Sequence, residues 1–221
     1  DLLDSLSKLE GLNRIRISSI EPTTIPIQLF NWMADPTHPL MPYLHVPMQS
    51  GCNRTLIRMK RKYCVEEMEE FFAHAQESVP DICLGTDLMV GFPGESNSDF
   101  KQTCKTFIQN SFAYCHVFTF SERRGTPANS YSESIPMNVR RERSAELRKL
   151  SAKSRMLFNK KFINRELRVL IENPKGEKYL GFSDNYTKVV LSENRRNLAN
   201  RMVKVRVTDA FPEFVSGELL E

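Results

Sequence analysis

The sequence predicts an α/β fold that is followed by a small antiparallel β-barrel. In the first half of the 221 residues, short apolar strands alternate with helical stretches, which is typical of a parallel sheet with helices outside it. A long basic helix without internal Gly or Pro comes next, and five short strands separated by polar turns follow it. These patterns predict one domain over 1–135, a linker helix over 136–164 and a barrel domain over 165–221.

Four strands are predicted in the first domain, at 14–20, 42–48, 82–90 and 113–120. Asn53 is expected to cap the helix after the second strand, and Ser96 or Ser98 the helix after the third. Because four strands cannot close a barrel of about eight, we expect either an open sheet or further strands upstream. The chain lacks an initiator Met and opens on an amphipathic helix already under way, so we expect a piece of a longer protein.

The strand exits carry the first functional signal. They read "SSIEP", "PMQSG", "VGFPGE" and "FSERRGTP", and all are rich in Ser, Glu, Gln, Gly and Pro. One such loop means little, since turns are polar in any protein. Four of them meet at one edge, because parallel strands end on the same side of the sheet, and ligands of α/β proteins bind there. The pattern therefore predicts the rim of a binding site.

The basic charge is concentrated in one segment. Residues 1–137 carry a formal charge of −4, residues 138–206 carry +12 and the last fifteen carry −4. This asymmetry favours a polyanionic partner, RNA above all, although a solvated helix face explains the helix equally well.

The barrel domain has the strand pattern of an oligonucleotide-binding type of barrel. Its aromatic residues Tyr179, Phe182 and Tyr186 suit base stacking, and basic residues between them suit phosphate neutralisation. Those basic residues are Lys178, Lys188, Arg195 and Arg196. The alternative, that the aromatic rings fill the barrel core, stays open for each ring.

Five cysteines are scattered without C-x₂-C or C-x₃-C spacing. Their odd number and the absence of a secretory signal predict reduced thiols in a cytoplasmic protein and no metal site. No stretch approaches 18 consecutive apolar residues, so no membrane span is expected.

Three long motifs in order carry a family resemblance. "YLHVPMQSGCNRTLIRMKRKY", "GTDLMVGFPGESNSDFKQT" and "HVFTFSERRGTPA" resemble the radical S-adenosylmethionine (SAM) methylthiotransferases, and the last five strands resemble their TRAM domain. The resemblance implies that the first domain is the third to sixth strands of a partial (β/α)6 barrel. The first two motifs are similar to the tRNA-modifying branches. The third is most similar to the threonylcarbamoyladenosine branch.

The resemblance also implies a reaction, a partner and cofactors. Members of that branch add a methylthio group to C2 of N6-threonylcarbamoyladenosine next to the anticodon, so the implied partner is tRNA through its anticodon stem-loop. The implied cofactors are SAM and two [4Fe–4S] clusters in the full-length protein, and the protein supplies their binding and orientation. The family's C-x₃-C-x₂-C loop is not among these residues, so the cluster ligands are expected outside this chain and the chain alone is expected to be inactive.

Individual strand exits gain roles from the resemblance. Glu21, Gln49 and Ser50 match positions that hold SAM through carboxylate, amide and hydroxyl groups. The main chain of Val90 and Gly91 matches the stretch beside the adenine, where a glycine places no side chain against a flat base. No catalytic residue is assigned.

Arg123 and Arg124, in the last exit loop, are expected to meet the tRNA backbone or the carboxylate of the substrate; a turn or a surface salt bridge is the alternative. Three other functions stay open: an isopentenyladenosine tRNA methylthiotransferase, a ribosomal-protein methylthiotransferase, and a tRNA-binding module without chemistry. The sulfur donor and the oligomeric state are not predicted.

Overall fold

The computed structural model describes residues 2–21, 25–172, 178–192 and 197–220. Arg195 and Arg196, expected to bind RNA, lie outside the described residues. The described helices are α1 (Leu2–Ser7), α2 (Gln28–Ala34), α3 (Asn53–Arg58), α4 (Val65–Ser78), α5 (Asn97–Gln109) and α6 (Met137–Lys160), with a 3₁₀ turn at Pro127–Ser130. The described strands are β1 (Ile15–Ile17), β2 (Leu40–His45), β3 (Cys83–Val90), β4 (Tyr114–Thr119), β5 (Glu166–Ile171), β6 (Lys178–Ser183), β7 (Lys188–Ser192), β8 (Met202–Ala210) and β9 (Val215–Leu219).

The first four strands form a parallel sheet in the order β1-β2-β3-β4, as the alternating pattern predicted. Helices cover its outer face. The core between them contains side chains with no accessible surface, among them Leu44, Phe72, Leu88 and Phe107. Within the described residues the sheet is open, with β1 and β4 at its edges.

Side chains that alternate with this core point to the other face of the sheet, which we call the inner face. It carries polar groups where the outer face carries apolar ones. Tyr43 and His45 come from β2, Asp87 from β3, and Tyr114 and His116 from β4. These five side chains contact one another through hydrogen bonds or ring packing.

The last five strands form a closed barrel in the order β5-β6-β7-β9-β8, which we call the small barrel. Its core is aliphatic, with Val169, Ile171, Val189 and Val205 inaccessible to solvent. The barrel was predicted to be antiparallel throughout, and that is wrong for one pair: β7 and β9 are parallel. Strand β8 separates them along the chain and is antiparallel to β9, so β9 runs beside β7 in the same direction.

Helix α6 connects the two parts. Leu147 and Phe158 of this helix are buried, whereas Leu157 is 57% exposed. Arg140 and Arg143 are 2% and 6% exposed, so two of the helix's cations are inside the protein. The basic helix is therefore a structural element as well as a charged surface. No helix in the described part of the chain is long and apolar enough to cross a membrane.

The small barrel is docked at the end of the sheet where the strands begin. Arg14 donates to the carbonyl oxygens of Phe182 and Arg168 at 2.8 and 2.9 Å. Arg16 donates to that of Ser183 at 2.8 Å. The small barrel and the strand exits are consequently at opposite ends of the sheet.

Two predicted helix caps have different outcomes. Ser96 caps α5 as predicted, because its hydroxyl accepts from the N–H of Asp99 at 3.2 Å. Asn53 does not cap α3. Its side chain accepts from the N–H of Val65 at 2.7 Å and donates to Glu66, so it fixes the start of α4 instead.

Candidate functional site

The four strand exits lie along one edge of the sheet. Gln49, after β2, still pairs with β3: its N–H donates to the carbonyl of Asp87 at 2.8 Å, and its carbonyl accepts from Met89 at 2.9 Å. At φ 66° it has a left-handed backbone, a conformation in which few residues other than Gly and Asn are found. Its half-buried side-chain amide forms no hydrogen bond with a described residue, so it can bind a ligand's hydroxyl or carboxylate.

Glu21 is exposed after the β1 exit. Burial raises the pKa of Tyr63, and the negative charge of Glu21 adds to that rise against the opposing effect of Arg61. The hydroxyl of Tyr63 donates to the carbonyl of Pro47 in the β2 exit at 3.1 Å. The Ile20 N–H donates to the His45 carbonyl at 3.2 Å, so the β1 exit, which Glu21 follows, lies beside the end of β2.

Ser50 does not face the rim. Its side chain has no accessible surface, and its hydroxyl lies 3.2 Å from that of Thr103 in α5 and accepts from the N–H of Cys52. In this geometry the hydroxyl is engaged between the β2 exit and α5. The "QSG" motif alone does not distinguish a rim hydroxyl from a buried one.

Gly91 has φ +74°, in the left-handed region where glycine is favoured. A Cβ at this position would lie 2.4 Å from Cγ of Arg140 and 2.9 Å from its Cδ. The stem of Arg140 thus occupies the space that a side chain at this position would need. The Gly91 N–H donates to the carboxylate of Glu95 at 2.8 Å, and the Val90 carbonyl accepts from Phe120 at 2.9 Å. These main-chain groups are satisfied within the protein.

Glu95 and Arg143 form a buried ion pair behind this loop. Nη1 of Arg143 donates to Oε2 of Glu95 at 2.6 Å and to its carbonyl at 3.0 Å. The second carboxylate oxygen, Oε1, is buried without a partner among the described residues. The glycine-rich exit is therefore fixed from inside the protein by α6.

Arg140 fixes the β4 exit in the same way. Its guanidinium donates to the carbonyl of Phe120 at 2.8 Å and to the carboxylate of Glu122 at 2.5 Å. Hydrogen bonds from Arg140 hold the pKa of Glu122 at about 2, below its usual range. Arg123 and Arg124, next in the loop, are exposed and form no ion pair with a described residue. They are accessible to an anionic partner at the rim.

The inner face carries a polar chain that the sequence interpretation missed. The hydroxyl groups of Tyr43 and Tyr114 are 2.8 Å apart, and that of Tyr114 is 3.3 Å from Nδ1 of His45. Nε2 of His45 lies 2.8 Å from a carboxylate oxygen of Asp87. The carboxylate accepts, so Nε2 of His45 carries a proton. The alternation of each strand was the available signal, since it places these residues on one face.

His116 lies beside this chain, with ring centroids 5.4 Å from His45. Burial and the neighbouring His45 lower the pKa of His116, which favours the neutral ring. One ligand atom each of His45, Asp87 and His116 lies within 4.8 Å of the other two, so the three could hold a metal ion. The prediction that named no metal site considered only cysteine spacing and did not weigh this set.

The cysteines themselves are free thiols. Burial raises the pKa of Cys83, Cys104 and Cys115 to about 12. Metal ions and clusters bind the thiolate, and these three groups are thiols at neutral pH. Cys52 donates to a carboxylate oxygen of Asp99 at 3.3 Å.

The predicted RNA-binding residues of the small barrel are not equivalent. Lys178 is exposed, and Lys188 lines a cleft beside α6. Tyr179 is buried in the core, which favours the packing alternative for that ring. The ring of Tyr186 is stacked on Phe182 at 4.6 Å and lies under Arg16 at 4.9 Å. Tyr186 therefore joins the small barrel to the sheet.

Comparisons with known proteins agree with this architecture. A family model described as the Radical SAM superfamily matches residues 1–107. The chain is 32% identical over 219 residues to a threonylcarbamoyladenosine tRNA methylthiotransferase of Bacillus subtilis, covering 97% of this chain and 48% of that protein. It is 33% identical over 222 residues to a tRNA-2-methylthio-N(6)-dimethylallyladenosine synthase of Vibrio parahaemolyticus, covering 100% of this chain and 47% of that protein. The chain spans about half the length of these curated relatives.

A solved structure supports the fold. Coproporphyrinogen III oxidase from Escherichia coli, described as a radical SAM enzyme, superposes with a TM-score of 0.53 at 12% identity, covering 77% of this chain and 46% of that one. The similarity to the curated relatives runs through the sheet, α6 and the small barrel alike. The chain is thus similar to the radical SAM methylthiotransferases over nearly its whole length, and it matches the Radical SAM superfamily over residues 1–107.

Proposed function

We propose that this chain is part of a tRNA methylthiotransferase whose full-length form adds a methylthio group to C2 of N6-threonylcarbamoyladenosine next to the anticodon. The observation that carries the proposal is the alignment of 97% of the chain with a relative of that name. The β4 exit motif "HVFTFSERRGTPA" favours this branch over its alternatives. The chain alone is inactive in this proposal.

In this proposal the three parts of the chain have different tasks. Residues 1–135 are the third to sixth strands of a partial (β/α)6 barrel, 136–164 link the parts, and 165–221 are a TRAM domain that contacts tRNA. The parallel sheet with its polar exits supports the first assignment, and the closed five-stranded barrel supports the last. The anticodon stem-loop is the part of the tRNA that brings the modified adenosine to the rim.

The rim fits SAM in part. Gln49 offers a side-chain amide without a hydrogen-bond partner among the described residues, and Glu21 offers an exposed carboxylate nearby. These two groups would hold hydroxyl or ammonium groups of SAM. Ser50 and the Gly91 N–H are engaged within the protein, so we assign them to the support of the rim. Bound SAM, with a cluster, supplies the radical that such a reaction needs.

The thiols of this chain do not fit an iron–sulfur cluster. Three of them are buried with raised pKa values, and the five have no cluster spacing. We therefore assign the ligands of both [4Fe–4S] clusters to residues outside this chain, and we derive no step through a cluster.

Nucleoside analysis of tRNA tests the proposal. Total tRNA from cells lacking the full-length gene is digested and measured by mass spectrometry, with complemented cells as the control. We expect methylthio-threonylcarbamoyladenosine to disappear and threonylcarbamoyladenosine to accumulate. Unchanged levels of the methylthio nucleoside would refute the substrate assignment.

A second candidate is the dimethylallyladenosine branch. It is favoured by the alignment of the whole chain, at 33% identity, with a synthase of that type. The same digest separates the two candidates, because loss of the methylthio group from dimethylallyladenosine alone would select this branch.

A further inference from the structure

A cleft of about 500 Å³ lies between α6, the edge strand β4 and the small barrel. Tyr114 and His116 of β4 form one side. A second side is a single face of α6, since its lining residues are spaced by three and four along the helix: Arg148, Ser151, Ala152 and Arg155. The small barrel closes the third side with Phe182, Tyr186 and Lys188.

The cleft is positively charged. Arg148, Arg155 and Lys188 line it, and none of the three forms an ion pair with a carboxylate among the described residues. Only one carboxylate, that of Glu213, is in the lining. Several other arginines of the protein are paired with carboxylates, as Arg143 is with Glu95. Three cations that share this lining with a single carboxylate give a site that attracts anions.

Arg155 is held in place rather than free to move away. Its guanidinium lies 4.0 Å from the centroid of the Tyr114 ring, a cation–π contact. The hydroxyl of that ring is in turn bonded to Tyr43, which fixes the floor of the cleft. A guanidinium stacked on one face keeps its N–H groups, in the plane of the group, available for an anion. The cleft is thus pre-organised for oxygen anions.

The stacked pair of Phe182 and Tyr186 forms an aromatic wall opposite α6. Aromatic rings beside arginines are the combination that nucleic-acid sites use, because bases stack while cations neutralise phosphates. An acidic protein segment would gain less than RNA from contact with these rings, because it has no bases to stack on them. The lining therefore favours RNA over an acidic protein as the occupant.

We propose that this cleft binds an anionic oxygen group of the RNA substrate, with Arg148, Arg155 and Lys188 as its ligands. Two groups of that chemistry are present on the substrate, a backbone phosphate and the carboxylate of a threonylcarbamoyl group. The proposal rests on the proposed function. It adds a second site at the side of the sheet, away from the binding site that the resemblance implies at the strand exits.

The test compares two double variants of this chain in binding to an RNA hairpin with the anticodon-arm sequence. Arg148→Gln with Lys188→Gln removes two cations from the cleft. Lys149→Gln with Lys153→Gln removes two exposed cations from the same helix but outside the cleft, and is the matched control. Fluorescence anisotropy is measured over a series of salt concentrations, and circular dichroism checks folding.

We expect the cleft variant to lose roughly tenfold in affinity, and its slope of log affinity against log salt to fall by about one for each phosphate contact removed. The control variant should stay within about twofold of the unchanged chain. Arg148 is exposed, so Arg148→Gln alone keeps the test valid if the double variant misfolds. Its expected loss is about half the double variant's on the logarithmic scale.

A second pair of hairpins, with and without the threonylcarbamoyl group, distinguishes the two sources of the anion. If the carboxylate occupies the cleft, Arg155→Gln removes the preference for the modified hairpin. If a phosphate occupies it, Arg155→Gln weakens both hairpins equally. Either result supports the cleft.

Cleft variants that bind as the control does would overturn the proposal, and so would an unchanged chain that does not bind the hairpin. Binding of a polyglutamate peptide is measured in the same way. If the cleft variant loses as much affinity for this peptide as it loses for RNA, the proposal is also overturned, since the cleft would then not select RNA. These outcomes are independent of the nucleoside analysis, which alone decides the proposed function.

Discussion

Arg143 in α6 donates to Glu95 in the β3 exit at 2.6 Å, and their side chains are 6% and 1% exposed. The guanidinium also lies 5.4 Å from the ring centroid of Phe100 in α5. One arginine therefore joins the linker helix, the glycine-rich exit and the next helix. The positive charge of α6 consequently has two uses: cations on its buried side support the rim, and Arg148 and Arg155, which line the cleft, are available to an anion.

Arg143→Leu should strongly destabilise the protein. The substitution leaves the Glu95 carboxylate buried without its counter-ion, and removal of one partner of a buried pair costs about 3–5 kcal/mol. Arg165→Leu is the control, because its pair with Asp81 is partly exposed, with side chains 49% and 32% accessible, and exposed pairs contribute about 1 kcal/mol or less. Urea unfolding followed by circular dichroism measures both. Similar losses in the two variants would contradict a special role for the buried pair.

Gly91→Ala should destabilise more than Gly125→Ala. Both glycines have φ near +80°, so each substitution adds about 1 kcal/mol of backbone strain. At Gly125 nothing lies within 4 Å of the added Cβ, whereas at Gly91 the Cβ would lie 2.4 Å from Arg140. Displacement of that stem disturbs the Arg140–Glu122 pair, so we expect a further loss of about 1–3 kcal/mol. Equal midpoints of thermal unfolding for the two variants would contradict this expectation, since the Arg140 side chain would then move aside without a loss of stability.

The parts of this architecture that the sequence predicted depend on local patterns. Strand alternation and caps such as Ser96 depend on neighbours a few residues away, so the order of strands and the polar exits were readable. The need for a glycine at position 91 could not be predicted in this way, because the side chain that excludes a Cβ there belongs to Arg140, 49 residues later in the sequence. The contact of Tyr186 with Arg16 spans an even longer separation. The same limit explains why Ser50 was expected at the rim.

Glu122→Gln should reduce the acid sensitivity of the protein. Hydrogen bonds from Arg140 lower the pKa of Glu122 from 4.5 to about 2 in the folded state. A carboxyl whose folded pKa is depressed stabilises the fold above its unfolded pKa, and that contribution is lost as pH falls from about 4.5 toward 2. The difference in urea midpoint between the unchanged chain and the variant should therefore shrink across that window.

Glu142→Gln provides the control for this pH dependence. Glu142 is an exposed carboxylate on α6 that forms no ion pair with a described residue. The midpoint of this variant should follow that of the unchanged chain between pH 5 and 2. A constant difference between Glu122→Gln and the unchanged chain over the same range would contradict the assigned pair.

Tyr186→Ala should lower the free energy of unfolding, because the ring is a structural contact rather than only a platform for base stacking. The ring packs 4.6 Å from Phe182, 4.8 Å from Tyr43 and under the guanidinium of Arg16, so its removal opens the contact between sheet and small barrel. For a half-buried ring we expect a loss of roughly 2 kcal/mol. Tyr186→Phe keeps the ring and should keep both stability and RNA affinity. If Tyr186→Ala instead left unfolding unchanged and weakened only RNA binding, the ring would be a stacking platform rather than a structural contact.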